Sequence, residues 1–384
     1  MLKRMRSFLV LVMLFIAVTM SAQVTTATMS GKVTAQDEPI IGATVVAVHE
    51  PSGTRYGTVT NVSGQFNLQG MRTGGPYKVE ISYVGYQTAI YKGINLLLGE
   101  NYVLNVSLKE SSELLDEVVV TASKESNMKS DRAGAIMNAN RDMINSTPTI
   151  SRSISDIMRL SPQGADVGNG FAVGGGNYRQ SFVTVDGAAF NNTFGLGGNL
   201  PANGSPISLD ALEQVTVAVT PFDVRQSGFT GGAINAVTRS GDNQFRGTVY
   251  GYFNNENLRG DRVEDYKLTR SKSQYYTYGA SFGGPIIKDK LFFFVNGEYE
   301  DNVTAGSSYQ PRTSLDQEYT GNVRRPVENT IVDGNETWVG LNDMRQYLKE
   351  KYNYDPGRYN NYSVNTPAYR IMACLLYTSP SPRD

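Results

Sequence analysis

FRGTVYGYF, Phe245 to Phe253, puts Phe245, Val249 and Phe253 on one side of an extended chain with Gly247 and Gly251, and Arg246, Thr248 and Tyr250 on the other. Side chains of a strand alternate between two faces, so this period-two run predicts a strand with one apolar and one polar side. Two further runs repeat it. In YYTYGASFG, Tyr276, Tyr278, Ala280 and Phe282 oppose Tyr275, Thr277, Gly279 and Ser281; in LFFFVNGEYE, Val295 and Tyr299 oppose Asn296, Glu298 and Glu300. Runs of about ten residues with this division fit antiparallel strands of a transmembrane β-barrel, which need one face for lipid and one for water. The connections agree: GPIIKDK (Gly284 to Lys290) is short, whereas Asn254 to Ser273 is long and polar. Periodicity alone leaves a soluble antiparallel sheet open as the alternative. TPAYRIMA (Thr366 to Ala373) predicts the start of a fourth strand after a long polar stretch from Asn302 to Pro367.

Such strands need export, and the N-terminus supplies a signal for it. Lys3, Arg4 and Arg6 precede the apolar run Phe8 to Met20, and Ser21-Ala22-Gln23 closes it with small residues, so residues 1–22 read as a signal peptide. Lys plus Arg number 35 against 36 Asp plus Glu, so no global field draws the chain to nucleic acid. Charged residues are 18% while Gly numbers 39 and Tyr 23, a balance that suits turn-rich β structure. Cys374 is the single cysteine, so the chain has no disulfide framework.

Residues 24–109 also alternate. Tyr77, Val79, Ile81 and Tyr83 oppose Lys78, Glu80 and Ser82; Leu104, Val106 and Leu108 alternate with Asn105 and Ser107. GATVVAV (Gly42 to Val48) is apolar on both faces, as an inner strand would be, and turn signals fall at Pro51–Gly53, Asn61–Gly64 and Thr73–Pro76. Short strands at this spacing predict a β-sandwich. Residues 127–241 change to mixed α/β: SISDIMRL carries a short helix with Ile150, Ile154, Ile157 and Met158 on one face, SFVTVDG is a strand running into a turn, and LDALEQ leads into the strand VTVAV (Val215 to Val219). The glycine cluster Gly168 to Gln180 lacks the Gly-Lys-Ser/Thr of a phosphate-binding loop and reads as a flexible or tightly turned loop. His49 is the sole histidine and sits at a strand end, a satisfied or solvent-facing side chain rather than a catalytic base. No active-site motif, cofactor site or metal-ligand set is expected.

GKVTAQDEPIIGATVVAV, TVTNVSGQFNL and YKVEISYVGYQT, in that order, resemble the carboxypeptidase-regulatory-like domain, a transthyretin-type sandwich. That family name carries no peptidase activity here, because a zinc carboxypeptidase uses two histidines. SFVTVDG and SGFTGGAINAVTRSGDNQFRGTVYGYF are similar to the plug and the plug-to-barrel passage of TonB-dependent outer-membrane receptors. SPQGADVGNGFAVGGGNYRQ and SFGGPIIKDKLFFFVNGEYE look more like the Oar-like branch than the glycan-importing SusC-like branch. The resemblance implies a mainly β chain: a sandwich in the periplasm, a linker at 110–126, a small α/β plug at 127–241 and the first strands of an antiparallel barrel at 245–373, in a barrel of about 22 strands. It implies active uptake of a substrate across the outer membrane of a Gram-negative cell. An adhesion or surface-organisation protein without transport is the alternative.

Between sandwich and plug lies DEVVVTAS, Asp116, Glu117, Val118, Val119, Val120, Thr121, Ala122 and Ser123, which is similar to the energy-coupling box that binds TonB. The outer membrane has no ATP, so work arrives through a protein reaching across the periplasm. A loose, β-prone segment can add to an exposed sheet edge of that partner, with backbone bonds for grip. On this reading the strand lacks a sheet of its own; that Val118–Val120 instead form the last strand of the sandwich stays open. The resemblance further implies that Tyr178 and Arg179 in the glycine loop, with Phe190, Asn191, Asn192 and Phe194 in AFNNTFG, face an extracellular substrate, unless they pack between plug and wall. Outer-membrane lipid is the remaining partner. CLLYTSPSPRD (374–384) resembles in-frame read-through of a sequencing adapter, and the chain is expected to be an incomplete gene product.

Overall fold

The computed structural model describes residues 25–110, 118–121, 136–149, 152–167, 170–191, 200, 205–219, 231–258, 260, 262–264, 266–267, 272–306, 310–311, 323–324, 327–332, 335–339, 341–358 and 362–378. The expected signal peptide lies outside them. Two compact units divide the chain: Met1–Val249, Ala280–Gly297 and Arg370–Asp384 form one, Tyr250–Gly279 and Glu298–Tyr369 the other.

The first unit begins with the sandwich. Its strands are β1 (Ala27–Ala35), β2 (Glu38–Pro39), β3 (Thr44–His49), β4 (Thr54–Val59), β5 (Gln65–Met71), β6 (Gly74–Ser82), β7 (Ala89–Leu96), β8 (Asn101–Val103), β9 (Val106–Ser107) and β10 (Val118–Thr121). One sheet runs β2-β1-β5 with β8 and β9 parallel to β1; the other runs β10-β7-β6-β3-β4. Their inner faces supply the core, with Met29, Val33, Val45, Ala47, Tyr77, Val79 and Ile81 fully buried. The alternation of YKVEIS is thus the burial pattern of β6, whereas Tyr83, expected on the inner side, lies beyond the strand and is exposed. GATVVAV does take the inner position, between β4 and β6, but only Ala43, Val45 and Ala47 are buried; Val46 and Val48 lie on the outer face, half covered. Gly74 to Pro76 already belong to β6, so the expected turn there shrinks to the two residues before it.

A central module follows: β11 (Ile136–Asn140), helices Arg141–Ser146 and Ile154–Met158, β12 (Gly164–Asp166), β13 (Phe171–Val173), β14 (Phe182–Val185), β15 (Ala188–Ala189), β16 (Leu212–Ala218) and β17 (Ala233–Thr238). The main sheet runs β11-β16-β17-β14-β15, with β14 parallel to β17. Ile154, Ile157 and Met158 bury the helix face that the spacing predicts, under a Ser153/Asp156 capping box. Asp186 and Gly187, both at positive φ, turn β14 into β15, the Asp-Gly turn that hairpins favour. Strand β16 starts at Leu212, three residues earlier than VTVAV suggested, because the turn at Leu209–Ala211 is a single 3₁₀ turn capped by Ser208. Within the described part of the glycine cluster a tight turn follows β13, with Gly174 and Gly175 in the left-handed region.

Four long strands, Arg246–Asn255, Ser273–Ile287, Leu291–Ala305 and Ser363–Tyr377, form one sheet in that order. Lys288–Lys290 joins the second to the third, with Asp289 at positive φ. One face of this sheet buries polar side chains together with Phe292, Phe294 and Ala368, and the other leaves large apolar side chains exposed. Thr277, Ser281, Asn296, Glu298, Glu300 and Arg370 are buried, while Val249, Phe253, Tyr278, Phe282, Val295, Ile371 and Leu375 are exposed. Among the described residues this sheet is open. Its fourth strand runs through Cys374 to Tyr377, across the boundary that the sequence reading placed after Ala373.

In the second unit, the polar stretch before the fourth strand holds an element that the sequence reading missed, the helix Leu341–Tyr352. Arg345 donates from Nε and Nη2 to the Asp355 carboxylate at 3.0 and 3.1 Å. The pair holds that carboxyl down at about 2, chiefly through the hydrogen bond.

Candidate functional site

The expected coupling segment is placed in part. Val118–Thr121 form β10, while Asp116, Glu117, Ala122 and Ser123 lie outside the described residues. Strand β10 runs parallel to β7, pairing Val118 with Ala89, Val119 with Ile90, Val120 with Tyr91 and Thr121 with Lys92. The expectation of a strand without a sheet is therefore corrected. The segment extends the sandwich, because β7 is otherwise the edge of its sheet and offers unpaired backbone groups.

Four of the six expected substrate-facing residues are described. Tyr178 and Arg179 stand on a 3₁₀ turn, Tyr178–Gln180, whose capping box pairs Asn177 with Gln180. Arg179 Nε donates to the Tyr178 hydroxyl at 3.1 Å, and its guanidinium lies 5.5 Å from that ring; Arg179 is exposed and Tyr178 half-buried. Together they present an aromatic face and a cation to one surface. Phe190 instead packs against the module's core. Asn191 is committed to its own backbone: Nδ2 donates to the Ser181 carbonyl at 2.7 Å and Oδ1 accepts from Val183 N–H at 2.6 Å. It closes the β14–β15 hairpin onto the end of the glycine loop. Asn192 and Phe194 lie outside the described residues.

Sequence reasoning passed over the joint between the central module and the first long strand. Arg239, just past β17, is 5% exposed and lies 3.7 Å from Asp210 Oδ2, with its guanidinium 4.6 Å from the Phe294 ring centre. Burial, then the nearby Arg141 charge, lowers Arg239 to about 10, still fully ionised at neutral pH. Asp210 Oδ2 also accepts from Thr248 Oγ1 at 2.7 Å, and Thr248 in turn meets Ser281 Oγ at 2.6 Å. One carboxylate thus ties the module's buried cation to the polar face of the strand sheet. The signal in sequence was faint: an Asp in LDALEQ and an Arg in AVTRSG, 29 residues apart.

His49 is buried in the sandwich, with Nδ1 2.7 Å from Ser52 Oγ and its ring 4.9 Å from Tyr77. It is satisfied inside the core rather than solvent-facing. Among the described residues no three His, Cys, Asp or Glu side chains gather as metal ligands.

Residues 28–109 match the carboxypeptidase regulatory-like domain, and residues 237–378 match an outer membrane β-barrel domain. The TonB-dependent transporter Oar of Myxococcus xanthus is 32% identical over 151 residues, covering 38% of this chain and 14% of the relative. The TonB-dependent receptor SusC of Bacteroides thetaiotaomicron is 29% identical over 221 residues, covering 54% of this chain and 20% of the relative. The crystal structure of the siderophore receptor PirA from Acinetobacter baumannii is 20% identical, covering 44% of this chain and 24% of that one, at a TM-score of 0.36. The chain spans 14 to 20% of the length of the first two relatives. A regulatory-like sandwich joined to strands that match an outer membrane β-barrel domain, with Oar and SusC as relatives, makes the chain a homologue of the TonB-dependent receptors, located in the outer membrane.

Proposed function

We propose that the protein is an outer-membrane importer energised by TonB. Residues 1–22 direct export, 24–109 form the periplasmic sandwich, 127–241 act as the plug and the strands from 245 onward form the wall around it. Asp116–Ser123 are the segment that TonB grips, and the protein binds its cargo without chemical conversion. Tyr178 and Arg179 are the substrate-facing pair we carry forward, since Phe190 and Asn191 are used in packing and hairpin closure. The observation behind this reading is the exposed apolar face of the long-strand sheet: Val249, Phe282 and Ile371 are exposed while Asn296, Glu298 and Arg370 are buried. Such a face suits lipid on one side, as the outer wall of a barrel has.

The test is uptake in a strain deleted for the gene and complemented with wild type or Val119→Pro, across iron chelates, glycans and peptides. Proline removes a backbone donor in the middle of a paired strand. Uptake is expected to be lost in the variant, and in wild type after TonB depletion, with surface binding intact. Normal uptake by Val119→Pro at normal expression sinks the coupling assignment.

A further inference from the structure

We propose that the β7 edge of the sandwich is a dock for residues 118–121, so that TonB engages the coupling segment only after displacing it from the protein's own domain. This rests on the reading of that segment as the TonB-binding strand. Three observations carry it. First, the chain is delivered to the right place: Gln87 N–H donates to the Lys109 carbonyl at 2.9 Å and Tyr86 bridges Glu110, so the sandwich ends beside the start of β7. The segment then returns to run along the same strand, in register from Ala89 to Lys92.

Second, β7 limits the dock. The β6–β7 pairing shifts between Tyr77–Ile94 and Val79–Tyr91, and Gly93 sits at φ 78° inside that irregularity. A bulge of this kind ends regular pairing on the free edge. Among the described residues the ladder runs from Ala89 and Val118 to Lys92 and Thr121, reaching that irregularity. Third, its strength suits exchange. A parallel ladder at a sheet edge, four pairs long among the described residues, belongs among the first structures to open. The strand that β7 satisfies is the kind of strand that TonB would add to its own sheet, so the two modes of pairing compete for it.

The experiment locks and releases the dock in the full chain. Aligned residues on neighbouring strands project to the same side, so Ala89→Cys with Val118→Cys is placed for a disulfide, in a Cys374→Ser background. Lys92→Cys with Thr121→Cys does the same at the other end of the ladder. Binding of the purified periplasmic domain of TonB is measured oxidised and reduced. The expected result is efficient cross-linking, at least about a tenfold loss of TonB binding when oxidised, and recovery on reduction. If neither pair cross-links in the folded protein, the dock is overturned. If cross-linking succeeds and TonB binds the oxidised and reduced forms equally, the competition is overturned. If TonB binds neither the reduced variants nor wild type, the coupling assignment itself falls and the competition with it, while the cross-link yield still reports the pairing of β10 with β7.

Discussion

The sandwich and the long-strand sheet are built from the same alternating pattern and bury opposite halves of it. In β6 the apolar set Tyr77, Val79 and Ile81 is fully covered and Lys78 and Glu80 face out. In the strand Leu291–Ala305 the polar set Asn296, Glu298 and Glu300 is buried on the same face as Phe292 and Phe294, and Val295 is exposed. Alternation specifies that a strand has two faces; the medium on each side decides which one is hidden. Water surrounds the sandwich, so burial removes apolar area from it. Hydrocarbon meets the sheet, so its polar side chains find one another, as Tyr250 does by donating to Glu298 at 2.5 Å.

The sharpest way to break the comparison is at Tyr77, whose ring is fully buried and whose hydroxyl donates to the Arg72 carbonyl at 2.7 Å. Tyr77→Ala should destabilise the sandwich by about 3–5 kcal/mol. Denaturant unfolding of residues 24–110 alone, expected to be a folded monomer, measures it; a disordered circular dichroism spectrum for the wild-type fragment would count against its independence. On the other region, Val249 is 88% exposed, so an added charge there disturbs nothing in water. In lipid, Val249→Lys should cost about 2–4 kcal/mol, read as impaired assembly into vesicles. An unimpaired variant would mean that this face does not meet hydrocarbon.

A smaller effect sharpens the contrast through pH. Burial, then the Arg72 charge, depresses His49 to about 3. The folded sandwich therefore keeps that imidazole neutral where the unfolded chain, with an ordinary value near 6.5, takes up a proton. Stability from this group is full above about pH 6.5 and falls as pH drops toward 3, losing about 2 kcal/mol between pH 7 and pH 5. Denaturation midpoints of the isolated sandwich across that range test it, and His49→Gln should flatten the slope.

The strands were readable because a local period is enough to define two faces, as in FRGTVYGYF and YKVEISY. Ile154, Ile157 and Met158 were readable for the same reason at the helical period. Relations between distant segments were not. Nothing in VVVT states that its partner is the edge of β7, since four β-prone residues suit any free edge equally. Asn191 looked available in AFNNTFG because its two bonds, to Ser181 and Val183, exist only once the hairpin has closed. Asp210 and Arg239 were ordinary charges until the fold brought them together and set the Arg239 guanidinium against Phe294.

The brevity of the link between Glu110 and Val118, residues 111–117, has a consequence for concentration. A strand tethered that closely to its dock is held against it at an effective concentration on the order of millimolar, whatever the protein's abundance. A soluble partner at far lower concentration must outcompete that neighbour. If the dock is filled about 99% of the time, the partner's apparent affinity drops about 100-fold below its intrinsic one. Lengthening the tether would then tune responsiveness without altering a single residue of the proposed coupling segment.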